Sequence, residues 1–218
     1  MQYENFIETI DEFEEDYELI ELLYFGAIER LRDVQKDVSK LDDLKHIQRI
    51  MKLFLISWGM MNRVVGRKNL DWKKLGETLR SLEKEFALLR DKKFLNIDFN
   101  DETLSHAIKT IYGKLDPIPY LGSPTTISKI LHLLNPEIFV MWDNAIVNFY
   151  HEIDPDVDYS ASGYLEFLKL TQKTVIVTLS KFERETEKSL DNIEAELRRK
   201  YQNKTTTKLI NEYNWTKR

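Results

Sequence analysis

The residues able to do chemistry gather between Tyr120 and Tyr150, and one carboxylate, Asp143, stands at the centre of that stretch. An apolar strip, Ile138 to Trp142, delivers it, and an amphipathic run begins immediately after it. A lone acid in that position caps the helix that follows by accepting from its first amides. A carboxylate so placed also has the charge to stabilise a developing cation and to orient a water. Upstream, Lys129 and His132 lie three residues apart and share a side of a short helix. The plain reading makes Lys129 a surface lysine and His132 a core or boundary histidine packed beside Trp142. A second group, Arg63, Arg67, Lys68, Lys73 and Lys74, surrounds the start of a helix capped by Asp71 and is the densest basic patch in the chain. Such side chains grip a phosphate backbone or form a solvated rim.

Those residues need elements that hold them. Pro117, Pro119, Gly122 and Pro124 crowd a turn, and Ile127, Ile130, Leu131 and Leu134 then recur at helical spacing. The spacing predicts a helix over Thr125 to Leu134, stopped by Asn135-Pro136 because the residue before proline is pushed out of the helical region. At the start of the chain, Phe6, Ile10, Phe13, Tyr17, Ile20 and Tyr24 predict one acidic helix from Glu4 to Leu31. Its narrow apolar stripe can dock on the body or on a protein partner. A helix over about 42–63 is apolar nearly all round in Met51–Trp58 and belongs in the interior. Asp71 caps a helix from Trp72 to about Arg90, and Asn100-Asp101-Glu102 starts one to about Tyr112 that ends at Gly113. Ser160 and Ser162 open a helix to about Phe182. Its Thr174–Thr178 stretch is β-branched, but as a strand it has nothing to pair with. A last helix runs from Glu185 to Tyr201, and a polar tail with Lys204, Lys208 and Trp215 follows. The expected fold is all-α throughout. It forms a single domain over 1–218, divisible into lobes at 36–115 and 116–218 with residues 1–35 as a docking acidic helix.

Composition bounds the function. The 218 residues include 42% hydrophobic and 32% charged side chains, enough for a sizeable core under a solvated surface. With no Cys there is no disulfide, thiol catalysis or Cys-ligated metal, and the four His show no metal-ligand spacing, so no cofactor is expected. Asp154, Asp156 and Asp158 alternate without the glycine and terminal glutamate of a calcium loop, and read as a solvated acidic turn. The phosphate-binding, dinucleotide-binding and serine-hydrolase signatures are missing. No apolar run is long enough to cross a membrane and no signal peptide opens the chain, which predicts a cytoplasmic protein with no membrane partner. The net charge of −5 speaks against nucleic acid, but its distribution is uneven. Residues 1–50 carry 14 acids against 6 Lys and Arg, and residues 51–95 carry 11 Lys and Arg against 5 acids.

The order of features from Tyr120 to Tyr150 resembles the helix-hairpin-helix DNA glycosylase superfamily, which includes endonuclease III-like and archaeal 8-oxoguanine glycosylase-like enzymes. That family carries a hairpin L-P-G-x-G, a helix opening with x-K-T-A, a proline, an apolar strip and V-D-x-x-V. Here Tyr120-Leu121-Gly122-Ser123-Pro124 stands for the hairpin, Thr125-Thr126-Ile127-Ser128 for the helix start, Pro136 for the proline, and Trp142-Asp143-Asn144-Ala145-Ile146 for the acid motif. The second hairpin glycine is Pro124, which removes one amide donor, and Thr126 occupies the lysine position.

The resemblance implies a helical bundle of that family and an enzyme that turns a damaged or modified base out of double-stranded DNA. Asp143 would be its catalytic carboxylate, while Gly122, Ser123 and Thr125 hold a phosphate. Arg63, Arg67, Lys68 and Lys73 would add backbone contacts, and Trp142 and His132 would line the pocket. Strand-cutting members use the helix lysine as an amine nucleophile. Thr126 cannot, so the implied reaction is monofunctional hydrolysis of the N-glycosidic bond. Lys129, one turn further along, is the substitute amine if the register shifts. The alternatives are a non-catalytic DNA-binding module of the same fold, and a helical interaction protein acting through Phe6, Phe13 and Tyr17.

Overall fold

The computed structural model describes residues 2–36, 44–57, 70–118 and 123–217, with the side chains of 18–20, 44, 46, 47, 56 and 57 outside that description. Among the described residues there are eleven helices and no strand. In chain order they are α1 (Tyr3–Asp16), α2 (Glu18–Lys36), α3 (Leu44–Ser57), α4 (Trp72–Ser81), α5 (Glu83–Leu89) and α6 (Glu102–Leu115). They continue with α7 (Pro124–Leu134), α8 (Asn144–Ile153), α9 (Ala161–Thr186), α10 (Leu190–Lys200) and α11 (Thr206–Lys217). The buried apolar side chains form one continuous cluster running from Phe6 to Ile210.

The short helix α7 sits at the centre. Every residue from Thr126 to Leu134 is buried, and α2 and α3 pack across it. The Gln35 amide of α2 donates to the Leu133 carbonyl at 2.8 Å and fixes the crossing. On the other side α6 packs on α9, where Tyr112 and Tyr164 stack at 4.8 Å and Trp142 meets both rings edge-on. Thr174 and Thr178 of the β-branched stretch bond back to Leu170 and Thr174 carbonyls at 2.9 Å. Their hydroxyls are thereby absorbed within α9.

Four expectations from the sequence need correction. The stripe from Phe6 to Tyr24 lies on two helices, broken at Tyr17 (φ −126°, ψ 24°). The break lets α1 pack along α11 while α2 turns to α3 and α7. The helix from Trp72 to Arg90 is likewise two, interrupted at Leu82 (φ −102°, ψ 12°). Helix α6 does not stop at Gly113 but runs through it to Leu115. An added Cβ at Gly113 would meet the Ala161 Cβ at 3.8 Å, an ordinary van der Waals contact, and Pro117 ends the helix. The polar tail after Tyr201 is the largest departure: it forms α11, and Lys204, Lys208 and Glu212 are fully buried.

Candidate functional site

Asp143 is carried by a unit of α7, the extended strip 138–142 and α8. Ile138, Phe139, Val140 and Trp142 are buried, which accounts for the unbroken apolar run. Among the described residues the strip has no strand to pair with; the Asn135 carbonyl receives the Ile138 and Phe139 amides, and side chains meet polar atoms of the rest. Ser128 Oγ receives the Trp142 amide at 3.1 Å and faces the Trp142 carbonyl at 3.2 Å. Asn211 Oδ1 receives the Met141 amide at 2.7 Å, and the Tyr164 hydroxyl donates to the Val140 carbonyl at 2.8 Å. The Trp142 indole N–H donates to the Pro124 carbonyl at 3.1 Å. These bonds lay the first turn of α7, with Ser123 and Thr125, beside the strip that ends in Asp143.

Asp143 itself is half-buried, with extended backbone (φ −136°, ψ −178°), and its Oδ1 accepts from the Ile146 amide at 3.0 Å. It is therefore the N-cap of α8. Ser123 and Thr125 are half-buried, and Ser123 is the N-cap of α7 without a side-chain capping bond. Thr126 and Lys129 are buried on α7, at 1% and 3% exposure, so neither presents its side chain to bulk solvent. Trp142 and His132 are core residues as well. Lys73 is exposed at the start of α4, where its ammonium stands 4.0 Å from Glu77. Arg63, Arg67, Lys68 and Gly122 lie outside the described residues.

His132 is locked from both ring nitrogens. Nδ1 lies 2.7 Å from the Phe139 carbonyl, which can only accept, so Nδ1 carries the proton. Nε2 then accepts from the Tyr24 hydroxyl at 3.0 Å. Burial pushes its pKa down to about 3, further lowered by the nearby Lys208 and only partly offset by the Phe139 carbonyl. The ring is a neutral strut between α2 and the strip.

Behind Tyr24 is a cluster that the sequence reading missed. Lys204 pairs with Glu14, with Glu212 at 2.6 Å and with Glu21 at 2.7 Å. Lys208 pairs with Glu21 at 2.6 Å and with Glu212, and its ammonium lies over the rings of Phe13 and Tyr24. The Glu14, Glu21 and Glu212 carboxylates converge within 4.8 Å of one another. The two ammonium groups stand among them and supply the positive charge that a cation would bring. Burial pushes Glu21 upward, and the neighbouring Glu212 adds to that while Lys208 opposes it. Burial, together with the second ammonium, lowers Lys204. The signal was present in the spacing: Lys204, Lys208 and Glu212 repeat every four residues, and Glu21 falls between Tyr17 and Tyr24 on the apolar stripe.

The stripe of α1 is spent on the chain itself. Phe6, Ile10 and Phe13 are buried, Phe6 meets Tyr213 at 5.5 Å and Tyr17 meets Trp215 at 6.4 Å. The aspartates at 154–158 brace a turn: Asp154 Oδ1 receives the Asp156 amide at 3.0 Å and Asp158 Oδ1 the Ser160 amide at 2.8 Å. No described helix is long and apolar enough to cross a membrane. Comparison of the chain with protein-family models, with curated proteins and with solved structures finds no match.

Proposed function

We propose that the chain is a DNA glycosylase-like protein that removes a damaged or modified base by hydrolysis, with Asp143 as its carboxylate. One observation carries this reading. Asp143 is the half-buried acid at the end of a strip that the Ser128 and Pro124 bonds to Trp142 hold beside the first turn of α7. Rupture of an N-glycosidic bond leaves positive charge on the sugar, and a fixed carboxylate stabilises that charge and orients the attacking water. Ser123 and Thr125, at the α7 N-terminus, are the described part of the backbone grip, and a helix N-terminus favours phosphate. With Thr126 in the lysine position, hydrolysis leaves an abasic site and an uncut strand.

The test uses a panel of duplexes carrying single modified bases, with alkali added to reveal abasic sites. Asp143→Asn is the matched control, because asparagine caps a helix as well as aspartate does. Product from the native chain and none from Asp143→Asn is expected. No product on any duplex, or equal product from both, overturns the reading.

A second reading, a non-catalytic DNA-binding or protein-interaction module of similar architecture, is favoured by a separate observation. The Asp143 carboxylate already caps α8, and Lys129 is buried. That module binds duplex with strong salt dependence and is indifferent to Asp143→Asn.

A further inference from the structure

A groove of about 550 Å³ opens between α8, α9 and α11, with Asn5 of α1 at its edge, and Asp143 does not line it. Its size and apolar walls are those of a small-molecule site. Helix α8 contributes Ile146, Phe149, Tyr150 and Ile153, the i, i+3, i+4, i+7 face. Phe149 and Ile153 on that face are 54% and 57% exposed, so two large apolar side chains stand uncovered at the rim. Leu170 and Thr174 of α9 form the opposite wall.

The polar groups of the groove converge on α11. Asn214 lines it yet is only 7% exposed. Its Oδ1 accepts from the Tyr150 hydroxyl at 3.2 Å, which leaves Nδ2 as the donor, and Nδ2 has no hydrogen-bond partner. A buried amide donor left unpaired is costly, and native proteins rarely carry one without a use. Thr171 of α9 faces the same tyrosine. Lys217 stands three residues on from Asn214, so its exposed ammonium lies over the same wall one turn nearer solvent. No ion pair to Lys217 is formed among the described residues.

We propose that this groove binds an amphipathic organic carboxylate, its hydrocarbon or aryl body along the α8 face and its carboxylate between Asn214 and Lys217. A carboxylate is acceptor-only and can take the Asn214 N–H and the Lys217 ammonium together. An alcohol lacks the charge, and an amine repels Lys217 and offers Asn214 Nδ2 no good acceptor. The apolar body covers Phe149 and Ile153, which the chain leaves in water.

Decanoate, decanol and decylammonium are suitable probes, each titrated into the full chain below its micelle concentration. The readout is the side-chain amide proton–nitrogen NMR signal of Asn214. Decanoate is expected to shift that signal saturably at one equivalent and to bind about fivefold tighter than decanol, the upper end for an exposed ion pair. Lys217→Gln should remove that advantage and leave decanol unchanged. Phe149→Ala should weaken both by about tenfold, the loss of part of a phenyl contact. Both positions are exposed, so unchanged thermal midpoints separate lost binding from lost fold. A silent Asn214 signal, decylammonium binding as tightly as decanoate, or sedimentation showing that Phe149→Ala only disperses a dimer of this chain overturns the proposal.

Discussion

Two regions of the molecule meet at Asn211 and His132 and are built on opposite principles. The α7–strip–α8 unit is an apolar run whose few polar atoms are each assigned: Ser128 to Trp142, Asn211 to Met141, His132 to Phe139. The interface of α1, α2 and α11 buries two carboxylates and two ammonium groups at the heart of the packing, with the half-buried Glu14 at its edge. The first region is held by shape and single hydrogen bonds, so losing one contact has a bounded cost. The second is held by mutual neutralisation, so losing one partner strands a charge. Burying charge is not itself stabilising, but unpairing it is strongly destabilising.

That contrast is sharpest in substitutions at the ionic cluster. Lys208→Met removes one ammonium and leaves Glu14, Glu21 and Glu212 to share Lys204 alone, and urea unfolding should show a loss of about 3–5 kcal/mol. Lys208→Met with Glu212→Leu should recover at least half of it. If the double variant is no better than the single, the cluster is not acting as a charge-balanced unit.

In the apolar unit the largest single-bond effect is expected at Ser128. Ser128→Ala leaves the Trp142 amide buried without its acceptor, and should cost about 1–3 kcal/mol in the same assay. A cost as large as that of Lys208→Met erases the distinction between the regions.

The pH dependence separates them further. Glu21 keeps its proton in the folded chain up to about 7, whereas the unfolded chain releases it in the ordinary carboxylate range. Between those limits the folded state holds more protons, so this group's contribution falls as pH rises. His132 works the other way. Its folded pKa of about 3 lies below the unfolded 6.5, so its contribution is lost as pH falls through that interval. The facing groups are Glu14 on α1, Tyr24 on α2 and Lys204, Lys208 and Glu212 at α11. Glu21→Gln should therefore remove a decline in stability between pH 5 and 7, roughly the interval of its shifted titration, while leaving the acid-side loss due to His132. An unchanged difference between Glu21→Gln and the native chain across that range contradicts a raised Glu21.

The smallest effect lies at Asp143. Asp143→Ala should cost about 1 kcal/mol, the usual value of an N-cap, and Asp143→Asn almost nothing.

The legibility of the sequence follows the same division. Ile127, Ile130, Leu131 and Leu134 announced α7, and Asn135-Pro136 announced its end, because apolar periodicity reports burial directly. Asp143 as a helix cap was readable for the same reason: a cap is a local event. The breaks at Tyr17 and Leu82 were not readable, since neither carries a glycine or proline. Helix α11 was hidden by its own charges. Lys204 and Lys208 read as part of a polar tail until Glu14 and Glu21, some 190 residues earlier, supply their partners. Asn214 was hidden similarly, as its environment comes from α8 and α9.

The central claim is that the Asp143 carboxylate does more than cap α8, and one paired measurement addresses it. Native chain and Asp143→Asn, matched in thermal midpoint and in salt-dependent duplex affinity, are compared for base release under single-turnover conditions. The account predicts release by the native chain alone. Equal release by the two proteins, or none from either across the modified bases, leaves Asp143 as a cap and contradicts it.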